Sequence, residues 1–253
     1  FMNQTVFITG ATSGIGKACA EIFAKNGYNL IINGRRKEKL DEIKSSLETK
    51  FNISIICAPF DVCNRKDVFE TIENLSSEFQ EIDVLINSAG LALGRELTDD
   101  AVMDDWETMI NTNVSGLLYV TKAVLPFMIN KKKGHIINIG SIAGDQAYER
   151  GNVYCASKSA VDTISKAMRI DLLPHRIKVT NIKPGAVETE FALVRFKGDE
   201  EKAGKTYTGF TPLTPEDIAD SIFYCASLPE NVCINDLNIT CLAQANGIYT
   251  LKD

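Results

Sequence analysis

The stretch TGATSGIG at residues 9–16 decides the fold, because it joins a short apolar run at residues 5–9 to an amphipathic stretch at about residues 14–26. A glycine-rich turn between a buried strand and a helix directs free backbone N–H groups and the positive helix end to one place. Glycine lets the backbone turn tightly and approach a ligand closely. The pattern predicts a pyrophosphate site, although its GxxxGxG spacing departs from GxGxxG and a plain strand-to-helix turn is the alternative interpretation.

Outward from this loop, β-branched runs alternate with amphipathic stretches, as is typical of a parallel sheet with crossover helices. The predicted strands are residues 5–9, 28–32, 53–57, 83–87, 135–139, 177–182 and 237–241. The predicted helices are residues 14–26, 36–49, 64–79, 99–130, 152–174 and 215–228. No linker or repeat interrupts them, so we predict one α/β domain over residues 2–253 with a seven-stranded sheet.

The charged segment at residues 188–211, ETEFALVRFKGDEEKAGKTYTGFT, contains no predicted strand. Long connections of this kind lie on the surface and often carry function. We expect an insertion above the sheet edge that acts as a substrate lid.

Residues 114–129 are apolar nearly all round the predicted helix, which is more than one sheet face can bury. Either a second apolar layer within the subunit or a homo-oligomer interface covers this helix, and the sequence leaves both open.

Composition excludes several classes of partner. The 27 Lys and Arg against 33 Asp and Glu give a formal charge of −6, which disfavours nucleic acid and anionic lipid. The seven cysteines are scattered without a CxxC pair, and there are only two histidines, so we expect neither disulfides nor a metal site. We see no signal peptide and no apolar run of about 18 residues, and therefore expect a cytoplasmic protein without a membrane span.

The end of the second predicted strand favours NADP over NAD. An NAD site places an acidic residue there for the ribose 2′-OH, whereas a 2′-phosphate needs a guanidinium. Here the chain continues with Arg35 and Arg36, and no acid precedes Glu38. The alternative interpretation is that both arginines are solvated residues at the start of a helix.

Tyr154 and Lys158 stand four residues apart in a predicted helix and project from the same face. A phenol with a reference pKa of about 10 is a poor base at neutral pH, and a nearby ammonium favours its phenolate. Ser141 follows the fifth predicted strand, at the edge where open α/β sheets bind ligands. A YxxxK pattern alone is weak evidence, but together with the serine and the glycine loop it indicates proton transfer.

These motifs, namely TGATSGIG at 9–16, NSAG at 87–90, Asn113, Ser141 and YCASK at 154–158, resemble the classical short-chain dehydrogenase/reductase family over nearly the whole chain. The resemblance implies a Rossmann-type, doubly wound single domain with helices on both faces of the sheet, a nicotinamide cofactor and hydride transfer. It implies that Tyr154 is the acid/base and that Ser141 orients the substrate oxygen. It also implies that Lys158 binds the nicotinamide ribose and depresses the tyrosine pKa, and that Asn113 holds a water in a proton relay behind the lysine.

By the same resemblance, Asp61 and Val62 flank the adenine, residues 87–90 line the cofactor groove, and residues 184–189 bracket the nicotinamide amide. The full set assigned to NADP is Gly10, Thr12, Ser13, Gly14, Ile15, Gly16, Arg35, Arg36, Asp61, Val62, Asn87, Ser88, Ala89, Gly90, Tyr154, Lys158, Pro184, Gly185, Val187 and Thr189.

Several longer stretches, among them DWETMINTN at 105–113 and GHIINIGSIAG at 134–144, are similar to the NADP-dependent 3-hydroxy acid dehydrogenases. That resemblance implies a homotetramer that acts on serine, allo-threonine, 3-hydroxypropionate or malonic semialdehyde. A substrate carboxylate needs a cation, and Arg150 or Arg195 would supply it beside Ser141 and Tyr154. Ser88 stands where many members carry Asn, a departure that should matter little. Ala186 and Glu188 give the PGAVETEF loop a form that only some members share, so the substrate-loop geometry is open.

Two other functions remain open at this point. A 3-oxoacyl thioester reductase, acting on a carrier protein or CoA, would use the same four residues, although the acidic lid disfavours a phosphopantetheine partner. A non-catalytic NADP-binding regulator is disfavoured by intact Asn113, Ser141, Tyr154 and Lys158.

Overall fold

The computed structural model describes residues 4–253, so residues 2 and 3 of the predicted domain lie outside it. Its sheet is entirely parallel, with the strand order β3-β2-β1-β4-β5-β6-β7. The strands are β1 (Thr5–Ile8), β2 (Asn29–Asn33), β3 (Ile55–Ala58), β4 (Ile82–Asn87), β5 (Gly134–Ile139), β6 (Ile177–Pro184) and β7 (Asp236–Ile239). Every predicted strand is confirmed, with small shifts at the ends.

The helices follow the predicted order. They are α1 (Gly14–Lys25), α2 (Lys37–Lys50), α3 (Arg65–Glu73), α4 (Met103–Ile110), α5 (Leu117–Lys131), α6 (Asn152–Asp171), α7 (Phe191–Arg195), α8 (Glu200–Lys205) and α9 (Pro215–Ser227). The helix predicted over 64–79 stops at Glu73, and a separate 3₁₀ turn covers Ser77–Phe79. Helix α9 begins with a capping box, in which Thr214 Oγ1 accepts from the Asp217 N–H and the Asp217 carboxylate accepts from the Thr214 N–H.

Two apolar layers cover the sheet, which makes the fold doubly wound. Side chains alternate along β1, so that Val6 and Ile8 face one layer and Phe7 faces the other. The first layer contains Phe23 of α1 and Ile222 of α9. The second contains residues of α3 and α5, among them Val68, Val120, Val124 and Met128.

The chain reverses its direction across the sheet between β1 and β4. It passes from β1 outward to β3, returns to β4 on the other side of β1, and continues to β7. The loops after β1 and β4 therefore diverge, and a crevice opens at the carboxyl ends of these strands, where open α/β sheets bind ligands.

The helical segment Met103–Lys131 combines α4, a π turn at Asn111–Gly116 and α5. By length and composition alone it would suffice to cross a membrane, a test that the core helix of a globular domain also passes. Val120, Val124 and Met128 are buried against the sheet, while Leu118 on the other side is 38% exposed. One apolar face is therefore covered within the subunit, and a homo-oligomer interface over the other stays a prediction.

Candidate active site

A cavity of about 630 Å³ lies at the carboxyl ends of the strands. One end is lined by the glycine loop together with Arg35 and Arg36, and the other by Ser141, Tyr154 and Lys158. The lid segment, residues 188–211, contributes part of the wall. The structure thus brings the nucleotide motif and the tyrosine motif to one continuous site.

The glycine loop adopts a conformation that side chains would disturb. Gly10 and Gly14 have φ values of +67° and +49°, in the left-handed region that favours glycine. A Cβ on Gly16 would lie 2.4 Å from the carbonyl oxygen of Gly10, so α1 packs directly on the turn. Thr9 Oγ1 accepts hydrogen bonds of 3.0 Å from the N–H groups of both Ser88 and Ala89, which ties this loop to the one after β4.

Most residues assigned to the cofactor line the cavity. They are Gly10, Thr12, Ser13, Gly14, Ile15, Arg35, Arg36, Asp61, Val62, Ser88, Ala89, Gly90, Tyr154, Lys158, Pro184, Gly185, Val187 and Thr189. Gly16 and Asn87 do not line it. Gly16 supports the loop from behind, and the buried Asn87 amide donates to Thr121 Oγ1 and Asn138 Oδ1, both at 2.9 Å, so its side chain joins β4 to α5 and β5.

The two arginines at the nucleotide end are already paired with acids. Arg36 donates to Thr12 Oγ1 at 3.0 Å and to Glu190 Oε2 at 3.1 Å, and thereby connects the glycine loop to the lid. Arg35 is 71% exposed in its side chain and lies 3.6 Å from Asp61 Oδ2. A bound phosphate would have to compete with these carboxylates.

Tyr154 and Lys158 occupy the inner face of α6, as the four-residue spacing predicts. Lys158 is buried and its ammonium donates to the Ile139 carbonyl at 2.8 Å. The Lys158 nitrogen lies 5.9 Å from the centroid of the Tyr154 ring. Ser141 follows β5, and its hydroxyl accepts from the Ala143 N–H at 3.1 Å.

Burial, more than the lysine, sets the acidity of the tyrosine. Removal from water raises the pKa of the Tyr154 phenol well above its usual range, and Tyr148 raises it further, while a hydrogen bond from Ser141 and the charge of Arg195 lower it. Burial also lowers the pKa of the Lys158 ammonium to about 8. The Lys158 ammonium is directed at the Ile139 carbonyl, and the expectation that it depresses the tyrosine pKa stays a prediction.

Asn113 lies in the π turn between α4 and α5, a type of distortion frequent at functional sites. Its Oδ1 accepts from the Leu91 N–H at 2.8 Å, and its Nδ2 donates to the Leu91 carbonyl at 2.8 Å and to Ser157 Oγ at 3.0 Å. Because both amide hydrogens are used, the side chain positions the loop after β4 against α6. A water relay behind Lys158 that involves Asn113 stays a prediction.

A buried ionic cluster holds the serine loop against α6. The ammonium of Lys183, on β6, lies 2.9 Å from Asp145 Oδ1 and 2.9 Å from Asp162 Oδ1. Asp145 directly follows the short turn that begins after Ser141, and Asp162 lies one turn beyond Lys158 on α6. Asp145 and Asp162 hold the pKa of the Lys183 ammonium above its usual value despite burial, so the cluster stays charged at neutral pH.

Of the two arginines predicted for a substrate carboxylate, the structure brings only Arg195 to the cavity. Its guanidinium donates to Tyr148 Oη at 2.9 Å and to the Gly94 carbonyl at 3.2 Å. Arg150 is exposed and lies 3.8 Å from Glu149, outside the lining of the cavity. The structure does not support Arg150 as a carboxylate ligand, since its side chain is directed at solvent from a residue with a φ of +62°.

Several further residues complete this wall without any signal in the sequence. Tyr148 and Phe191 flank Tyr154, and Arg95 lies over the Tyr148 ring. Gln244 Oε1 accepts from the Ala186 N–H at 2.8 Å, so the segment after β7 holds the loop that precedes the lid. These residues belong to no motif, and only the folded chain brings them together.

The chain belongs to the short chain dehydrogenase family, whose sequence model matches residues 4–199. The all-parallel sheet, the glycine loop and the tyrosine–lysine pair agree with that membership, and the resemblance inferred from the sequence is confirmed. The chain is therefore an oxidoreductase with a Rossmann-like fold.

Individual relatives and solved structures show which members of the family the chain is similar to. An NADP-dependent 3-hydroxy acid dehydrogenase of Salmonella typhi is 47% identical over 95% of this chain and 96% of its own length. A protein of the same description from Schizosaccharomyces pombe is 47% identical, covering 97% of this chain and 96% of its own length. The closed form of a serine dehydrogenase complexed with NADP+ superimposes with a TM-score of 0.92 at 44% identity, covering 99% of this chain and 100% of that one.

Proposed function

We propose that this chain is an NADP-dependent dehydrogenase that interconverts small 3-hydroxy acids and their 3-oxo forms. One observation carries the proposal: Ser141, Tyr154 and the guanidinium of Arg195 all line the same cavity. The relatives that are described as NADP-dependent 3-hydroxy acid dehydrogenases support the same substrate class.

The residues at the nucleotide end fit NADP. The positive φ values of Gly10 and Gly14 leave the loop open at the N-terminus of α1, which suits a pyrophosphate. A Cβ on Gly90 would lie 3.2 Å from Asn113 Oδ1 and 3.5 Å from the Lys158 nitrogen, so this glycine keeps clear the space above the lysine. Arg35 and Arg36 offer guanidinium groups at the end of β2, as a 2′-phosphate requires.

The proposed cofactor ligands divide along the groove. The glycine loop would hold the pyrophosphate, Asp61 and Val62 would flank the adenine, and Lys158 would hold the nicotinamide ribose. Residues 184–189 would bracket the nicotinamide amide. The chemistry that bound NADP supplies is hydride exchange with the carbinol carbon of the substrate.

Tyr154 moves the proton at the substrate oxygen. In reduction its neutral phenol donates the proton, and in oxidation its phenolate accepts the proton of the hydroxyl. Because burial raises the pKa of this phenol, the donor form predominates at neutral pH. Ser141 Oγ lies at the carboxyl end of β5 and orients the substrate oxygen toward the phenol.

Arg195 binds the substrate carboxylate in this proposal. A guanidinium pairs with a carboxylate in a bidentate manner, and Tyr148 and Gly94 already fix its orientation. Phe191, whose ring lies 5.6 Å from the Tyr154 ring, covers the site from the lid and limits the access of water. The cavity is thereby suited to short acids.

NADPH absorbance with a small substrate panel tests the proposal. The panel comprises malonic semialdehyde, serine, allo-threonine, 3-hydroxybutyrate and one acyl thioester. We expect turnover of the small acids and little of the thioester. Turnover of the thioester alone would instead support a 3-oxoacyl reductase, and no turnover with any compound would support a regulator.

Substitution of the two arginines tests the carboxylate site. We expect Arg195→Ala to raise KM for 3-hydroxy acids by about 10- to 100-fold, since a hydrogen bond to a charged group contributes about 1.5–3 kcal/mol. KM for neutral alcohols should change much less. Arg150→Ala removes an exposed arginine outside the cavity and is the matched control; equal effects of the two substitutions would contradict the assignment.

Charge reversal tests the cofactor assignment. Arg35→Asp should lower the preference for NADP over NAD by an order of magnitude or more, because a carboxylate repels the 2′-phosphate. Arg65→Asp, at the start of α3 and outside the cavity lining, changes the net charge equally and should leave the preference unaltered. An unchanged preference in Arg35→Asp would refute the assignment.

The proposal includes a homotetramer in the cytoplasm. The half-exposed apolar side of α5 supports an interface between subunits, and sedimentation showing a monomer at micromolar concentration would contradict it. The seven cysteines are free thiols, which persist in a reducing compartment.

The lid assignment to residues 188–211 predicts that NADP binding reduces the deuterium uptake of this segment. Unchanged uptake would exclude a cofactor-linked lid.

A further inference from the structure

Six side chains surround the phenol of Tyr154, and they come from four parts of the chain. Ser141 follows β5, Tyr148 precedes α6, Cys155 and Lys158 belong to α6, and Phe191 and Arg195 belong to α7 in the lid. Two of the six are cationic. The Lys158 nitrogen lies 5.9 Å from the ring centroid, and the Arg195 guanidinium carbon lies 5.6 Å from it.

The two cations differ in the permanence of their charge. Burial lowers the pKa of Lys158 to about 8, and its ammonium is directed at the Ile139 carbonyl at 2.8 Å. A guanidinium stays protonated at every accessible pH. Arg195 is therefore the constant positive charge beside the phenol, and it comes from the lid rather than from the tyrosine's own helix.

The guanidinium is fixed in this place by contacts outside the lid. It donates to Tyr148 Oη at 2.9 Å and to the Gly94 carbonyl at 3.2 Å, and the Arg195 carbonyl accepts from the Gly94 N–H at 2.9 Å. It lies 5.7 Å from the centroid of the Tyr148 ring, between the two tyrosines. Phe191 closes the same side, and the exclusion of water strengthens the attraction between a cation and a phenolate.

We propose that Arg195 stabilises the anionic form of Tyr154 by its charge, so that docking of α7 on the loop at residues 91–95 makes the phenolate more available than burial alone would allow. This inference rests on the proposed role of Tyr154 and extends it: the lid contributes to the acid–base chemistry as well as to substrate binding. A hydroxy acid that engages Arg195 would offset part of this charge, so a neutral alcohol reports the effect most directly.

The test compares the pH dependence of kcat/KM for oxidation of a neutral alcohol in the wild type, Arg195→Met and Arg195→Lys. Oxidation requires phenolate, so the rate rises through the apparent pKa of Tyr154. Loss of an opposite charge at this range should shift that midpoint upward by about one pH unit or more in Arg195→Met, whereas Arg195→Lys should stay near the wild type. Superimposed profiles for wild type and Arg195→Met would overturn the proposal.

A second readout does not depend on turnover. Phenolate absorbs in the ultraviolet, so subtracting the absorbance of NADP-bound Tyr154→Phe from that of the NADP-bound wild type follows the titration of Tyr154 alone. The same subtraction in proteins that also carry Arg195→Met should show Tyr154 titrating at higher pH. If no substrate is turned over, the proposed function fails while this titration still decides the electrostatic effect. Thermal melting verifies that each variant is folded.

Two further variants distinguish the effect of the Arg195 charge from the effects of neighbouring side chains. Arg95→Met removes another cation of the cavity wall, which lies 5.9 Å from the Tyr148 ring, and should leave the midpoint within a few tenths of a pH unit. Tyr148→Phe keeps the charge but removes the hydrogen bond that holds it. It also removes a hydroxyl that raises the Tyr154 pKa, so any upward shift should be smaller than that in Arg195→Met. A shift in Arg95→Met as large as that in Arg195→Met would indicate a general field effect and contradict the specific role.

Discussion

Tyr154 and Arg195 line the same cavity, but the chain holds them in different ways. Tyr154 is buried on a helix of 20 residues that packs against the sheet, and the Lys183 cluster ties this helix to the serine loop. Arg195 ends a helix of five residues in a charged segment. The cavity therefore has two walls. We call the one formed by the strand ends and α6 the fixed wall, and the one formed by residues 188–211 the lid wall.

The lid wall is attached by polar contacts at its edges and by the packing of Phe191 and the buried Ala192. Glu190 pairs with Arg36, the Arg195 backbone pairs with Gly94, and the Lys197 ammonium lies 2.7 Å from Asp105 Oδ2. The Arg36–Glu190 pair is half-exposed and contributes little stability, whereas the Lys197–Asp105 pair includes a buried carboxylate. The fixed wall thus suits groups that need precise placement, and we expect the lid wall to move when ligands enter.

The largest expected effect comes from the fixed wall. Tyr154→Phe should lower kcat by about 10²- to 10⁴-fold, because general acid–base catalysis contributes that much. NADPH affinity, measured by fluorescence, should stay close to that of the wild type, since a phenyl ring keeps the packing with Phe191. Full turnover in this variant with every substrate would mean that the fixed wall does not carry the chemistry.

Alanine substitution of two glycines tests the difference in rigidity between the fixed wall and the lid wall. Gly16→Ala should destabilise the protein by about 1–3 kcal/mol in urea unfolding and weaken NADPH binding, because the new Cβ would meet the Gly10 carbonyl at 2.4 Å. Gly204 in α8 has nothing within 4 Å of the same position, so Gly204→Ala should be neutral or raise stability by up to about 1 kcal/mol. Equal losses in both variants would contradict the two-wall description.

Acid should destabilise the sheet that supports the fixed wall, through His135 near the start of β5. Burial lowers the pKa of this imidazole to about 3, and Thr180 Oγ1, which donates to the Ile234 carbonyl, accepts from its Nε2–H at 2.7 Å. The unfolded chain, with a pKa of about 6.5, takes up the proton first, so this contribution to stability is lost as the pH falls from 6.5 toward 3. The loss is about 2 kcal/mol at pH 5.

The measurement is the free energy of unfolding at pH 7 and pH 5 in the wild type and in His135→Gln, which keeps a donor for Thr180. The variant should lose about 2 kcal/mol less than the wild type over this interval. The same loss in both proteins would assign the acid sensitivity to other groups.

The smallest expected effect lies in the lid wall. Glu190 pairs with Arg36 at 3.1 Å and with Lys39 at 3.7 Å, and so competes with a 2′-phosphate for these cations. Glu190→Gln should strengthen NADPH binding by about 2- to 5-fold, the equivalent of an exposed ion pair, and leave NADH binding unchanged. Glu201→Gln, which removes a lid carboxylate outside the cavity lining, is the control. Weaker NADPH binding in Glu190→Gln would show that the pair closes over the cofactor instead.

The amino-acid sequence by itself determined the strands, their parallel arrangement and the fixed wall. These features depend on local signals, such as β-branched runs, a glycine loop and a four-residue helical spacing, and each constrains its own neighbourhood of the chain. Right-handed crossovers restrict the possible strand orders but do not select one, so the order β3-β2-β1-β4-β5-β6-β7 and the crevice beside β1 come from the folded chain.

Only the tertiary structure decided which groups meet. It placed Arg195, and not Arg150, in the cavity wall together with Tyr148 and Gln244, and directed the Lys158 ammonium at the Ile139 carbonyl. It also decided that burial raises the pKa of Tyr154. Contacts between residues far apart in the chain, and the removal of water from them, depend on how whole elements pack, and no local pattern in the sequence encodes that packing.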